Sequence, residues 1–353
     1  MKIGIIGTGI IARAHGEGVL LEDGLKLAAV CDTDETAMRN FLKDMGLKDC
    51  NCFTDYRKML ESGCVDGVIV CTPNVSHRAI AVCAAGHGIH VLCEKPLAMD
   101  AAEAEMMLEA AEKAGIVHMT GFAFRYIPAV AYIKELVDGG YLGKIHHFRG
   151  RFFANRLAPL DHPLEWRHRE ELAGSGVIGD LVSHMLDMAH YLVMDYGDVE
   201  TLSAQGQIVH PKRRDPVTGQ LTDVTAEETV SVYMRLADRM EIALEGSRYS
   251  PFEMGFQITG SKGSVRYDMM HYHEPEVLFY ETEGVYSQKY SQEYERTGLP
   301  EKWRAPEGKS GRFIRQVQEF AACIREGRKP ACSFKEGWEN QRMLDRIKEK
   351  SRQ

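Results

Sequence analysis

Lys2-Ile3-Gly4-Ile5-Ile6-Gly7-Thr8-Gly9-Ile10-Ile11-Ala12 decides the fold. Its first residues make an apolar run of strand length, Gly7-Thr8-Gly9 turns the chain at once, and a helical pattern follows to about Leu21. Strand, glycine turn and helix together are the setting in which G-x-G-x-x-A holds a dinucleotide. Gly7 permits the tight turn, Gly9 lets the backbone approach a pyrophosphate, and Ala12 lets the helix pack closely on the strand. The helix start, with Thr8, Ile10 and Ile11, faces the phosphates. About twenty residues on, a second apolar run at 25–31 ends in Asp32, whose carboxylate suits the hydroxyls of an adenosine ribose. Thr33 and Asp34 follow, with no arginine for a 2′-phosphate, so NAD is expected rather than NADP.

The alternation continues. Helical patterns at 35–45 and 56–61 precede Val65-Asp66-Gly67-Val68-Ile69-Val70-Cys71, a near-continuous apolar run of the kind buried in parallel sheets. Thr72-Pro73-Asn74-Val75-Ser76-His77 breaks it and starts the next helix, and strands at 89–93 and 117–120 flank a helix at 100–114. Strands alternating with helices predict an α/β domain over 1–122 with a doubly wound parallel sheet. Past Gly121 the rhythm changes. A helix at 128–137 and a strand at 144–154 are followed, after residues 179–187, by strands at 201–209, 229–236, 240–247, 255–259, 263–267 and 276–280. Consecutive strands predict an α+β second domain, 123–353, with a large, mainly antiparallel sheet. Residues 212–223 read as a polar loop, and two closing helices, at 310–326 and 336–350, can pack back on the first domain.

A length of 353 residues is long for one core and favours two domains. A formal net charge of −8 argues against a nucleic acid or an anionic membrane as partner, and no apolar run nears the roughly 20 residues of a membrane span. Met1-Lys2-Ile3 runs straight into a strand pattern, so no signal peptide is expected. Several of the nine cysteines sit in apolar runs (Cys31, Cys71, Cys93), the pattern of buried free thiols in a reducing cytoplasm. Cys50-Asn51-Cys52 lacks the second pair that a zinc site needs. The residues of His146-His147 and of His271-Tyr272-His273-Glu274 would alternate sides on a strand, so no metal is expected at either.

A second stretch carries ionisable groups. Ala173-Gly174-Ser175-Gly176 reads as a flexible lead-in that can bring a helix start against a ligand, and Gly179-Asp180-Leu181-Val182-Ser183-His184-Met185-Leu186-Asp187 follows. Asp180 and His184 stand four apart, and His184 and Asp187 three apart, which predicts all three near one helix face. Two carboxylates and an imidazole on one face can handle a proton. They also fit an amphipathic helix whose buried histidine is satisfied by a neighbour.

Gly7-Thr8-Gly9, Thr72-Pro73-Asn74 with His77, Glu94-Lys95-Pro96, and Gly179-Asp180 with His184 and Asp187 resemble, in this order and spacing, the glucose–fructose oxidoreductase/inositol dehydrogenase/rhizopine-catabolism (Gfo/Idh/MocA) family. The resemblance runs along nearly the whole chain, including Thr259-Gly260-Ser261-Lys262-Gly263-Ser264. It implies an N-terminal Rossmann domain holding a nicotinamide dinucleotide and a C-terminal open-faced sheet that supports a sugar or polyol site. It implies that Lys95 is the catalytic lysine, Asp180 the acid and His184 the catalytic histidine. Thr72, Asn74, His77 and Glu94 would line the dinucleotide, with Trp166-Arg167 near the nicotinamide. A homodimer or homotetramer is implied too, since a half-covered sheet must bury its apolar face.

The chemistry of these groups agrees. Oxidising a secondary alcohol removes a hydride from carbon and a proton from oxygen; the dinucleotide takes the hydride, so a base must take the proton. His184 suits that task. Asp180 can hydrogen-bond the substrate hydroxyl or fix the tautomer of His184, as Asp187 can from the other side, and Lys95 can stabilise alkoxide character. The expected activity is NAD-dependent oxidation of a secondary hydroxyl of a sugar, glycoside or cyclic polyol, with C3 of a pyranoside as one candidate, in the branch of inositol, levoglucosan and glycoside 3-dehydrogenases. The alternatives are an NAD-dependent glycosidase that oxidises C3 transiently and eliminates the aglycone, an inositol dehydrogenase, and a non-catalytic dinucleotide-binding sensor. In the inositol dehydrogenases, the segment resembling Gly121-Phe122-Ala123-Phe124-Arg125-Tyr126 carries two arginines, the first of which reaches the polyol. Phe124 in that place points to an apolar sugar face or an aglycone, or else to a packed side chain.

Overall fold

The computed structural model describes residues 1–270, 275–280, 295–296, 299–300 and 311–352; His271-Tyr272-His273-Glu274 lies outside them. The chain forms two compact units. One is Met1–Tyr126 with Glu171–Gly174 and Glu307–Arg342; the other is Ile127–Glu170 with Ser175–Pro306 and Met343–Gln353.

The first unit holds six parallel strands: β1 (Lys2–Ile6), β2 (Lys26–Cys31), β3 (Asn51–Phe53), β4 (Gly67–Val70), β5 (His90–Cys93) and β6 (His118–Thr120). Their order is β3-β2-β1-β4-β5-β6, the doubly wound arrangement expected from the alternation. It reverses between β1 and β4, the point where open α/β sheets bind ligands at the strands' carboxyl ends. The connecting helices include α1 (Ile10–Leu21), α2 (Glu35–Asp44), α3 (Tyr56–Glu61), α4 (His77–Gly86) and α5 (Ala101–Ala114). β4 is buried throughout because both faces are covered, and its period of two sends Val68 and Val70 to one apolar cluster and Ile69 to the other. Val317 and Phe320 of the helix Gly311–Glu326 belong to the Ile69 cluster, beside Val19 of α1. Cys50-Asn51-Cys52 runs into the edge strand β3, and no metal-holding group of His, Cys, Asp and Glu occurs among the described residues.

The second unit is a mixed sheet. β7 (Ile145–Phe153), β8 (Val199–Gln207), β11 (Thr229–Leu236), β12 (Glu241–Ser247), β13 (Glu253–Gly260), β14 (Gly263–Asp268), β15 (Glu276–Phe279) and β16 (Glu295–Arg296) lie in the order β16-β15-β14-β13-β7-β12-β11-β8. All neighbours are antiparallel except β7 and β12. The segment read as a polar loop contains a short hairpin, β9 (Lys212–Arg214) with β10 (Leu221–Asp223). Three-residue strands rich in charge give no alternation to detect. α6 (Pro128–Asp138) and the short α7 (Glu170–Ala173) precede α8 (Ser183–Leu192), which continues a π-helical turn, Ile178–Val182. Glycines let this helix lie tight on the sheet. A Cβ on Gly150 of β7 would sit 3.0 Å from Met185 Cβ, and one on Gly246 of β12 would sit 2.7 Å from Val182 Cγ2. No helix among the described residues is long and apolar enough to cross a membrane.

Arg213 explains why the hairpin is there. Its guanidinium is buried and donates to the carbonyls of Leu157, Pro159 and His162 and to the Tyr249 hydroxyl, with Glu228 Oε1 3.6 Å away. Glu228 in turn accepts from the amides of Val209 and His210 and from Tyr249. Burial, reinforced by this carboxylate, pushes the Tyr249 phenol up to about 12, so it stays a donor. Removing one partner of such a group strands the other, so Arg213→Met should destabilise the protein by about 3–5 kcal/mol in denaturant titration. A loss under about 1 kcal/mol would mean that the loop 155–168 does not depend on it.

Candidate active site

Residues at the carboxyl ends of β1 and β2 form the first part of the site. Gly7 has φ +89°, and an added Cβ would meet the backbone of Cys71 at 2.7 Å, so both conformation and space require glycine. An added Cβ on Gly9 would meet nothing within 4 Å, which leaves the backbone there open to a ligand. Gly9 is also the N-cap of α1 and supplies no side-chain cap, whereas Asp34, Asp55 and Asp100 cap α2, α3 and α5. The first N–H groups of α1 are thus left for an anion. Asp32 Oδ2 accepts from both the amide and the hydroxyl of Thr8 at 2.7 Å, tying the end of β2 to the glycine turn. Ile10 is 83% exposed, an unusual position for isoleucine unless something flat lies on it. Open backbone, uncapped helix and carboxylate all fit a dinucleotide.

The turn carrying Lys95 is held from behind. Glu94 is buried, its Oε1 2.7 Å from His15 Nε2 and its Oε2 accepting from the Lys95 amide. Burial alone would raise its carboxyl, but the His15 contact with the charges of His15 and Lys95 outweighs this and lowers it. His77 is fully buried, with Nδ1 3.1 Å from the Pro96 carbonyl and Nε2 2.9 Å from that of Thr72. Burial lowers its pKa, and the hydrogen bonds to those two carbonyls act against that shift. Asn74 Nδ2 donates to the Ala173 carbonyl, and Thr72 Oγ1 accepts from Ser76. His77 and Glu94, expected along the dinucleotide, tie loops together. Their side chains have almost no surface with which to meet a ligand. Lys95, half-buried, is the residue that these ties present. Phe124 is 3% exposed and the Arg312 guanidinium lies over its ring at 5.1 Å, which makes it a packed side chain.

The second unit holds Asp180, His184 and Asp187 on the π-turn and α8. Asp180 lies in the π-turn, whose wider i→i+5 loop differs from the regular helix assumed for the three residues. Asp187 is buried at 1% exposure, while Asp180 is 28% exposed in its side chain. Asp180 Oδ2 lies 3.3 Å from Arg248 Nη2 and 3.6 Å from Arg167 Nε. Arg167 also stacks on Trp166, 4.4 Å from its ring centre, and Arg156 makes a bidentate pair with Glu165 that holds the latter's carboxyl at about 2. The His184 ring lies 5.9 Å from that of Phe152. The glycine lead-in is not flexible. A Cβ on Gly176 would fall 1.8 Å from the Glu227 carbonyl, and Glu227 Oε1 accepts from the amides of Gly176 and Ile178 at 2.7 and 3.0 Å. These glycines admit the chain's own backbone, and a carboxylate caps the helix that bears Asp180 and His184. His15, Glu227 and Arg248 carry no sequence motif; the isolated acidic or basic residue that marks each is a signal too common to single out.

The glycine turn, the uncapped α1 and Asp32 define a dinucleotide-binding protein of the Rossmann kind. Residues 1–122 match the oxidoreductase family model with NAD-binding Rossmann fold, GFO_IDH_MocA, and residues 130–266 match the GFO/IDH/MocA C-terminal domain. The chain is 30% identical over 270 residues to glucose-6-phosphate 3-dehydrogenase of Bacillus subtilis, covering 75% of this chain and 74% of that one. It is 29% identical over 309 residues to levoglucosan dehydrogenase of Pseudarthrobacter phenanthrenivorans, covering 79% and 76%. A solved levoglucosan dehydrogenase in complex with NADH and levoglucosan superposes with a TM-score of 0.89 at 27% identity, over 100% of this chain and 97% of that one. The chain belongs to the Gfo/Idh/MocA family of oxidoreductases and its cofactor is NAD.

The two glycines of the turn separate folding from binding. Gly7→Ala should cost about 1–2 kcal/mol for the left-handed conformation, and more for the clash with Cys71, and lower the melting temperature. Gly9→Val should melt as the wild type yet bind NADH at least about tenfold more weakly, a loss of about 1.4 kcal/mol. Unchanged NADH affinity in Gly9→Val, read by fluorescence titration, would place the pyrophosphate elsewhere.

Proposed function

We propose that this protein oxidises a secondary hydroxyl of a sugar, glycoside or cyclic polyol to a ketone, with Lys95, Asp180 and His184 as its catalytic residues. The observation that carries the reading is the pairing of Asp180 with cations on the same turn-and-helix that presents His184. An acceptor for a hydroxyl and a base for its proton thus stand on one rigid element. Bound at the glycine turn, NAD supplies the hydride acceptor. Asp180 orients the hydroxyl by accepting its hydrogen bond. His184 takes the proton as the base. The ammonium of Lys95 stabilises the alkoxide character that develops on oxygen. Asp187, buried on the same helix, is assigned the task of holding the imidazole. Trp166 and Arg167 are assigned to the nicotinamide side, and Thr8, Ile10, Ile11, Asp32, Thr72 and Asn74 to the dinucleotide or the loops that frame it.

For the substrate we favour a pyranose ring or glycoside over a free inositol. The sugar-directed names of two relatives support this. The cytoplasm suits the buried thiols Cys31, Cys93, Cys323 and Cys332. A homodimer or homotetramer would cover the sheet face that carries His147, Arg149, Arg151, Tyr233, Arg235 and Glu241. That face is ionic rather than apolar, with Arg151 paired to Glu245 and Glu253, so its association should weaken with salt.

NADH absorbance over a panel of levoglucosan, pyranosides, glucose 6-phosphate and myo-inositol, with NMR of the product, tests the reading. Aglycone release without net NADH would support the glycosidase alternative instead. Lys95→Ala and His184→Ala should each lower hydride transfer about 10²- to 10⁴-fold while NADH still binds. Near wild-type turnover of His184→Ala would remove it as the base.

A further inference from the structure

Asp180 is held by two guanidinium groups, and one of them comes from a residue 68 positions further along the chain, Arg248. We propose that Arg248 is a positioning residue of the reaction: it locks the Asp180 carboxylate and the Arg167 backbone into one geometry, so that Asp180 serves as a fixed acceptor for the substrate hydroxyl. The inference rests on the dehydrogenase reading above.

Arg248 directly follows β12, and its amide donates to the Glu228 carbonyl at 2.9 Å. Its side chain is 2% exposed. Nη1 donates to the Arg167 carbonyl at 3.0 Å and Nη2 to Asp180 Oδ2 at 3.3 Å. Arg167, whose carbonyl is thus held, brings its own Nε to 3.6 Å from the same Asp180 oxygen. A guanidinium taken out of water is costly unless its donors are met. The terminal nitrogens of Arg213 donate to Tyr249 and to loop carbonyls, with Glu228 close by, which serves the fold. Those of Arg248 reach the two segments that bear proposed site residues, while the Nε of each guanidinium is buried without a hydrogen-bond partner among the described residues. The planar fork makes both bonds at once in fixed directions, whereas a lysine keeps the charge and loses the bridge. Two guanidinium groups at one oxygen fix where the Asp180 side chain points, which is the geometry a hydroxyl acceptor needs.

The test is a double-mutant cycle in the whole protein, with NAD and a sugar that the wild type oxidises. Arg248→Met should lower kcat/KM about 10- to 100-fold, and Arg248→Lys should recover part of that. If Arg248 acts through Asp180, the Met substitution costs less than about threefold once Asp180 is Asn. A purely structural role predicts the same factor in both backgrounds, and that result, or wild-type kcat/KM for Arg248→Met, overturns the proposal. Should Arg248→Met fail to fold, Arg248→Lys in the two backgrounds makes the same comparison. The two failures are distinguishable. A wild type that oxidises no sugar overturns the dehydrogenase reading and this inference with it, whereas turnover with additive losses overturns this inference alone.

Discussion

A charge taken out of water must meet its counter-charge inside the protein, and that constraint places each segment that bears proposed chemistry. His15 meets Glu94 behind the Lys95 turn. Arg213 meets Glu228 beneath the loop that leads to Trp166-Arg167. Arg248 meets Asp180 at the start of the helix that carries His184. In the first and last of these pairs one member adjoins a proposed site residue or is one, and the other comes from a distant part of the sequence. Packing alone tolerates shifts of side chains. A buried ion pair with directed hydrogen bonds does not, because displacement leaves a donor or acceptor unmet.

Backbone amides at two helix starts show the same economy used in opposite ways. α1 begins at Gly9 without a side-chain cap and so offers its amides to phosphate. The π-turn begins at residues whose amides are taken by Glu227. One start is left open for a ligand and the other is closed to fix a rigid platform. Glycine serves both: Gly9 leaves room for something outside the protein, and Gly176 leaves room for the Glu227 backbone.

Much of this was legible in the sequence. Apolar runs and glycine turns are local signals, so the parallel sheet, its order of elements and the dinucleotide turn follow from residues 2–120, and the consecutive strands of the second sheet follow from their alternation. The family resemblance singled out Lys95, Asp180 and His184 as candidates. What was not legible depends on partners far apart: His15 and Glu94 are 79 positions apart, Gly176 and Glu227 are 51 apart, and nothing in either neighbourhood announces the other. The π-turn was hidden because it is a single turn, too short to leave a period of its own in the sequence. The burial of His77 and Glu94 was not legible either, because motif position does not reveal it.

The most direct test of the central claim uses a sugar substrate deuterated at the carbinol carbon, with NAD and the wild-type protein. The account predicts that the deuterium is recovered in the reduced cofactor, one per ketone formed, and that the hydroxyl proton goes to solvent. Deuterium found in water, or a released aglycone with no reduced cofactor, would contradict it.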